Sequence, residues 1–362
     1  MTAENNDHMN DDARMVLDAA ERILREQCTK ELVDDVEAGV WPTRLWDTLE
    51  QTGLPRACAP ERLGGAGLSL AQGMALLRLV GVHAVPVPLA ETLVASALLG
   101  ESDCEALPDG PLALAVAGPG DRLEVLEGAD GVTVSGEIAG IALPAAVRTL
   151  ILALPAPGGS LLAVLDRSTL ALTPGRSIAG EPVADLVLDA VVVPAAQLHH
   201  LPLAVDLILA RMALTRALMI SGAMQSILDM ACAYARDRTQ FGRPIAAFQA
   251  VQQQLAVLAG DAAAAIRAAD RALEALDGPD ELIEIAVAKA RAGEAAGRGA
   301  EIAHQVHGAM GFTYEHALHQ RTRRLWAWRD DHGHEAWWQA LVGRSLCAAG
   351  ADGLWGFLTR SA

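Results

Sequence analysis

The sequence predicts an α+β fold, mainly α: an N-terminal helical domain over residues 1–108, a small antiparallel β middle domain over 109–202, and a C-terminal four-helix bundle over 203–362. Three observations carry that prediction. Apolar residues recur at helical spacing through the N-terminal part, short β-prone runs set apart by Gly and Pro replace them from Pro111, and long apolar-periodic runs return at Leu203. Ala and Leu dominate a composition that is 52% hydrophobic. That bias favours helix, because Ala loses no side-chain entropy on folding and Leu loses little.

In order, Val16, Leu17, Ala20, Ile23 and Leu24 share one face of a helix over Ala13 to Thr29. A short helix follows Trp41-Pro42, since Pro fits a helix's first turn. Gly64-Gly65-Ala66-Gly67 breaks the pattern, Ser69 caps a helix from Leu70 to Val82, and Pro86 and Pro88 separate that helix from one over Leu89 to Leu99. The β-prone runs are Ala113 to Val116, Leu123 to Leu126, Val132 to Val134, Thr149 to Leu154, Leu161 to Leu165 and Leu186 to Val193. Leu203 to Arg238, Phe248 to Leu276, Leu282 to His307 and Glu335 to Leu358 then read as four long helices with short connections, which means a bundle. Gly293, Gly297 and Gly299 in the third permit close helix approach.

With 45 acidic against 28 basic residues, the formal charge of −17 repels phosphodiester backbones and anionic bilayers, so nucleic acid and membrane are poor partners. The five cysteines are scattered without a CxxC pair, as buried or free thiols in a reducing compartment are. The polar, acidic first residues do not resemble a secretory signal, and the expectation is a soluble cytoplasmic protein.

The chemistry concentrates in two stretches. In Arg238-Thr239-Gln240-Phe241-Gly242-Arg243-Pro244-Ile245, followed by Phe248-Gln249, a guanidinium at a helix end can bond a pyrophosphate through two N–H groups, and Phe241 offers a flat apolar surface. In Gln305-Val306-His307-Gly308-Ala309-Met310-Gly311-Phe312, glycine lets backbone come close to phosphate. The competing reading is that Arg238 and Arg243 cap a helix C-terminus and face solvent.

Both stretches, and Pro60-Glu61-Arg62-Leu63-Gly64-Gly65-Ala66-Gly67-Leu68-Ser69, resemble motifs of the acyl-CoA dehydrogenases, in the family's order and along essentially the whole chain. The resemblance implies FAD as cofactor, an acyl-CoA substrate, an electron-transfer flavoprotein as electron acceptor, and assembly as a homo- or hetero-oligomer. It implies that Arg238, Phe241 and Gln249 reach the adenine dinucleotide half of FAD in a neighbouring subunit. Gln305, Gly308 and Gly311 belong to the loop that approaches the same dinucleotide, which the resemblance brings from the other chain.

Departures from the family stand beside these matches. The family removes the α-proton with a glutamate in one of two places; without gaps, the commoner falls on His332 and the alternative on Met212. A one-residue gap gives the role to Asp331, the candidate base, against the alternative that Arg329-Asp330-Asp331-His332 is a solvated connection; His332 is a further proton acceptor. In the middle part, Ala115 to Gly120 and Ile138 to Ala142 replace the hydroxyl-bearing segments that cover the flavin ring. Such short middle domains resemble the members that work as heteromers on sterol and alicyclic acids.

His199-His200, His304 with His307, and His332 with His334 lack the carboxylate or Cys frame of a metal site. Trp326, Trp328, Trp337 and Trp338 read as packing residues, with a flat ligand platform as the alternative, and Arg321, Arg323 and Arg324 as a charged helix face, with contact to the nucleotide phosphates of CoA as the alternative. The resulting expectation is FAD-dependent α,β-dehydrogenation of an acyl-CoA thioester. Its rival is a catalytically silent subunit that completes a partner's flavin site, and a flavin enzyme of the same fold acting on another substrate ranks third.

Overall fold

A computed structural model describes residues 3–359, and the chain divides into two compact units, Met1–Met212 and Ala213–Ala362. The first opens with six helices: α1 (Ala3–Gln27), α2 (Lys30–Glu37), α3 (Thr43–Gln51), α4 (Leu70–Ala75), α5 (Leu77–His83) and α6 (Leu89–Glu101). Helix α2 escapes the pattern reading because it is only eight residues long; the Thr29 hydroxyl caps it by accepting from Leu32 N. Ser69 caps α4 as expected, in a reciprocal box with Gln72. The single helix expected over Leu70 to Val82 is divided at Leu76. Every residue of α6 from Leu89 to Leu99 is buried, so it has no polar face.

Eight strands follow: β1 (Leu112–Ala115), β2 (Arg122–Gly128), β3 (Gly131–Ala142), β4 (Thr149–Ala156), β5 (Gly159–Asp166), β6 (Ala171–Arg176), β7 (Pro182–Pro194) and β8 (Leu198–Leu201). They form two four-stranded sheets, ordered β1-β4-β5-β8 and β2-β3-β7-β6. Pairing is antiparallel as expected except at one edge, where β1 runs parallel to β4. The Thr92 hydroxyl on α6 holds β1 there, accepting from Leu112 N at 3.0 Å, and the β2–β3 hairpin supplies the long crossover that a parallel pair needs. Strands β6 and β8 were hidden by Pro174-Gly175 and by His199-His200. Val134, Ile138, Leu152, Leu154, Leu165, Leu186 and Leu188 sit in the core of this part.

Helix α7 (Val205–Asp237) begins in the first unit and continues into the second, which adds α8 (Gln249–Glu274), α9 (Glu281–His307), α10 (Leu318–Asp330) and α11 (Glu335–Leu358). At 33 residues α7 is long and apolar enough to cross a membrane by length and composition, but 94% of its most apolar window is buried, as in the core helix of a bundle. Asp261 on α8, 4% exposed, accepts from Arg291 at 2.5 Å and Arg298 at 2.6 Å on α9. The α9 glycines act as expected: a Cβ on Gly299 would stand 2.5 Å from Met224 Cε, and one on Gly293 3.0 Å from Glu335 Cβ.

The tryptophans pack. Trp328 is 2% and Trp338 0% exposed, and the Trp337 ring meets that of Trp338 edge-on at 4.5 Å. The expected charged face on α10 is corrected: Arg324 is 0% exposed with Nη1 donating to Gln320 O at 2.9 Å, and Arg321 Nε donates to Ser226 Oγ at 2.6 Å. Helix α10 is a fifth helix beside the expected four, so Arg324 is buried against a carbonyl and Arg321 meets a hydroxyl.

Candidate functional site

Two places in the Ala213–Ala362 unit collect the chemistry. The first starts where α7 ends. Arg238 N still bonds Tyr234 O at 2.8 Å, and the chain then folds into a hairpin of β9 (Thr239–Gln240) and β10 (Arg243–Pro244). Its two-residue loop, Phe241-Gly242, has φ of 51° and 78°. Positive φ at both positions is the type I′ pattern, whose twist matches the strands, and for a non-glycine residue such as Phe241 this costs about 1 kcal/mol. The outcome is a phenylalanine 91% exposed, its ring edge-on to Phe248 at 6.1 Å, with the Arg243 guanidinium 4.3 Å from the centre of the Phe248 ring.

This hairpin, the start of α8 and the end of α9 enclose a groove of about 800 Å³ whose lining includes Arg238, Phe241, Gln254, Gln305, His307 and Gly308. Gly308 closes α9 at φ 59°, ψ −142°, a conformation that L side chains rarely adopt. Four of the six expected cofactor residues therefore meet at one groove. Gln249 stands exposed at the first turn of α8, outside that lining. Gly311 is buried instead: a Cβ there would be 3.0 Å from both His307 Cβ and Leu318 Cδ2.

The groove suits a nucleotide. An exposed arginine and the N-terminus of α8 supply positive potential, Phe241 and Phe248 supply flat apolar surface, and Gly308 admits close backbone approach. Beneath it, His307 donates through Nδ1 to Ala303 O at 2.7 Å, stacks on Tyr234 at 4.6 Å, and is held below its ordinary pKa by burial. Its remaining Nε2 is buried without a partner. Sequence reasoning missed Gln254, which lies five residues beyond Gln249 on α8 and lines the groove where Gln249 does not.

The second place is the turn between α10 and α11, where Asp331 sits. Asp331 Oδ2 accepts from Arg216 Nε on α7 at 2.9 Å, the arginine side chain being 6% and the aspartate 35% exposed. On the other side Lys289 of α9, 0% exposed, donates to Arg329 O at 2.6 Å and Gly333 O at 2.8 Å. From α11, Trp338 Nε1 donates to His332 O at 3.1 Å, and Arg329 Nε pairs with Glu335 Oε2 at 2.8 Å. Three helices thus grip this turn, while Asp330 stands exposed and Asp331 part-exposed.

Burial pushes Lys289 down to about 7, while Asp331 opposes the shift. His332 has φ of 55°; the residue keeps some exposed surface, but its Nε2 is sealed and unpartnered, and burial, Arg216 and Lys289 hold its pKa well below the ordinary value. That removes His332 as a proton acceptor near neutrality. Met212, at the alternative base position, is a fully buried apolar residue. The sequence signal for Lys289 and Arg216 was a lone cation inside an otherwise small or apolar helix run, Ala286 to Ala290 and Met212 to Ala217 respectively.

In the first unit, the segment that replaces the hydroxyl-bearing loop is tied by Asp121, which accepts from Gly118 N at 2.8 Å and Ala139 N at 3.4 Å. Among the described residues, no group of three or more His, Cys, Asp or Glu side chains is placed to hold a metal ion.

The model of the acyl-CoA dehydrogenase C-terminal domain matches residues 203–330 and that of the N-terminal domain residues 10–100. The acyl-CoA dehydrogenase IpdE2 of Mycobacterium tuberculosis is 30% identical over 77% of this chain and 79% of its own length. The chain belongs to the acyl-CoA dehydrogenase family. Its class is therefore FAD-dependent oxidoreductase. IpdE2 of Mycolicibacterium smegmatis is 28% identical over 86% of the chain and 91% of its own length. The fold matches the ChsE4–ChsE5 complex from Mycobacterium tuberculosis at a TM-score of 0.85 and 22% identity, covering 92% of this chain and 97% of that one. It matches butyryl-CoA dehydrogenase from Megasphaera elsdenii at 0.74 and 19%, covering 92% and 98%. Residues 101–202, the β part, lie between the two domain matches.

Proposed function

We propose that this member of the family takes part in FAD-dependent α,β-dehydrogenation of an acyl-CoA thioester. The groove carries the reading: Arg238, Phe241, Gln305 and Gly308 converge on one nucleotide-sized cleft. Arg238 would bond the pyrophosphate of a bound dinucleotide, Phe241 would offer it a flat apolar surface, and the backbone at Gly308 would admit its phosphates. Gln249 and Gly311 support this set from the first turn of α8 and from beneath the loop. Bound FAD supplies the acceptor for the β-hydrogen and its electron pair. Asp331 takes the α-proton at Oδ1 while Arg216 holds Oδ2. Electrons then pass to an electron-transfer flavoprotein, and the chain works in the cytoplasm as a homo- or hetero-oligomer.

A second reading has an observation of its own. Asp331 is tied to a buried arginine and His332 is sealed, so neither residue at the base position is free to move toward a substrate. A subunit that builds the groove but leaves proton abstraction to a partner chain is then the alternative, and two-component assemblies such as ChsE4–ChsE5 are among the folds it resembles. The visible spectrum of the chain expressed alone, titrated anaerobically with an acyl-CoA panel, separates the two. A yellow protein that bleaches supports Asp331 as base, and Asp331→Asn then abolishes bleaching while flavin stays bound. A protein that gains flavin and bleaches only with a partner chain carrying the missing glutamate supports the second reading.

A further inference from the structure

Lys289, Gly293 and Gly297 fall at i, i+4 and i+8 of α9 and therefore on one face. Each meets the α10–α11 turn or its flanks: Lys289 Nζ reaches Arg329 O and Gly333 O, Gly293 stands against Glu335, and a Cβ on Gly297 would stand 3.3 Å from Arg329 Nη1. Between the two carbonyls that Lys289 holds lie Asp331 and the positive-φ His332. We propose that Lys289 is a positioning residue that seats the α10–α11 turn on α9 and so fixes where Asp331 stands.

Arg329 O and Gly333 O belong to the end of α10 and to the turn itself. A carbonyl at a helix C-terminus has no partner within its helix, and each of these two finds a Lys289 N–H. Without it Arg329 O is shut away unbonded beside a carboxylate, Gly333 O keeps only the Trp338 Nε1 donor at 3.2 Å, and the turn relaxes toward water. Arg216 and Trp338 do not replace it, since Arg216 bonds one oxygen of one side chain and Trp338 reaches His332 O and Gly333 O but not Arg329 O. The bearing on Asp331 rests on the function proposed above; the seat itself does not.

The seat is sensitive to protons. The charged groups that face Lys289 are Asp331 on the turn, Arg216 on α7, Asp330 at the end of α10 and Glu335 on α11, and burial outweighs them all. An opening of the turn that hydrates Lys289 restores its ordinary basicity, so the open state takes up a proton when the pH lies above about 7. Opening then becomes rarer as the pH rises.

Amide hydrogen exchange read by mass spectrometry on peptides spanning residues 328–338 of the full chain tests this without reference to activity. The native protein, after correction for the intrinsic pH dependence of exchange, gains up to roughly tenfold in protection per pH unit above 7. Lys289→Met, which keeps the apolar stem, lowers protection in these peptides and abolishes the climb, while peptides over 149–166 in the β sheets are unchanged. A Lys289→Met protein as well protected in these peptides as the native one overturns the proposal. A chain that proves colourless removes Asp331 as base yet leaves the exchange result standing, so the two claims fail separately.

Discussion

At the groove the functional side chains are exposed and held by backbone conformation, with Phe241 on a positive-φ residue of a tight hairpin and Gly308 at a helix end only glycine adopts readily. At the α10–α11 turn they are gripped by buried charge, with Arg216, Lys289 and Trp338 reaching in from three helices. The difference teaches where each site stores its cost. A backbone-held site can lose a side chain with little effect on stability, whereas a charge-held site is coupled to the stability of the whole bundle and to pH.

Arg216→Met is the strongest attempt to break that contrast. Removing one partner of a buried pair costs about 3 kcal/mol, at the low end because Asp331 is 35% exposed and can turn to water. Urea unfolding should show a loss of that size, and a loss below about 1 kcal/mol would mean that the pair contributes little. Next in size is the pH dependence of unfolding. Lys289 is shifted from 10.5 to about 7 in the folded chain, so between those values the unfolded state binds the extra proton and stability rises with pH. Below about 7 both states hold the proton and the penalty is present in full. From pH 7 to 9 the rise amounts to roughly 2–3 kcal/mol, and Lys289→Met should flatten it.

The groove should respond on a smaller scale. Gly308→Ala places a Cβ in open space but at φ +59°, which costs about 1–2 kcal/mol and moves the loop. Arg238→Ala, at an exposed position, should alter stability by less than about 0.5 kcal/mol while lowering the flavin retained through gel filtration. Opposite in sign, Phe241→Gly relieves the positive φ and should stabilise by up to about 1 kcal/mol while weakening flavin retention. Thermal melts of the two variants, read beside their flavin content, would sharpen the contrast if stability and retention move independently.

What was legible in the sequence follows the same division. The long helices were readable because their apolar periodicity repeats over many turns, and the groove because its residues lie in two contiguous stretches. The Asp331 turn was not, since its holders Arg216, Lys289 and Trp338 are spread over more than a hundred residues and meet only in the fold. Short elements lost their signal to local chemistry: β6 carries Pro174-Gly175, and β8 consists of Leu198-His199-His200-Leu201. The parallel β1–β4 edge was invisible because alternation along a strand does not reveal the direction of its neighbour.

The most direct test of the central claim, that the Arg238 hairpin and the Gln305 loop build a flavin groove, is the flavin-to-protein ratio of a double variant, Arg238→Ala with Gln305→Ala. It should be purified in the same assembly as the native chain and compared at equal melting temperature. The groove predicts that the variant folds and assembles as before and loses most of its FAD. A variant with undiminished flavin would contradict it and place the dinucleotide elsewhere.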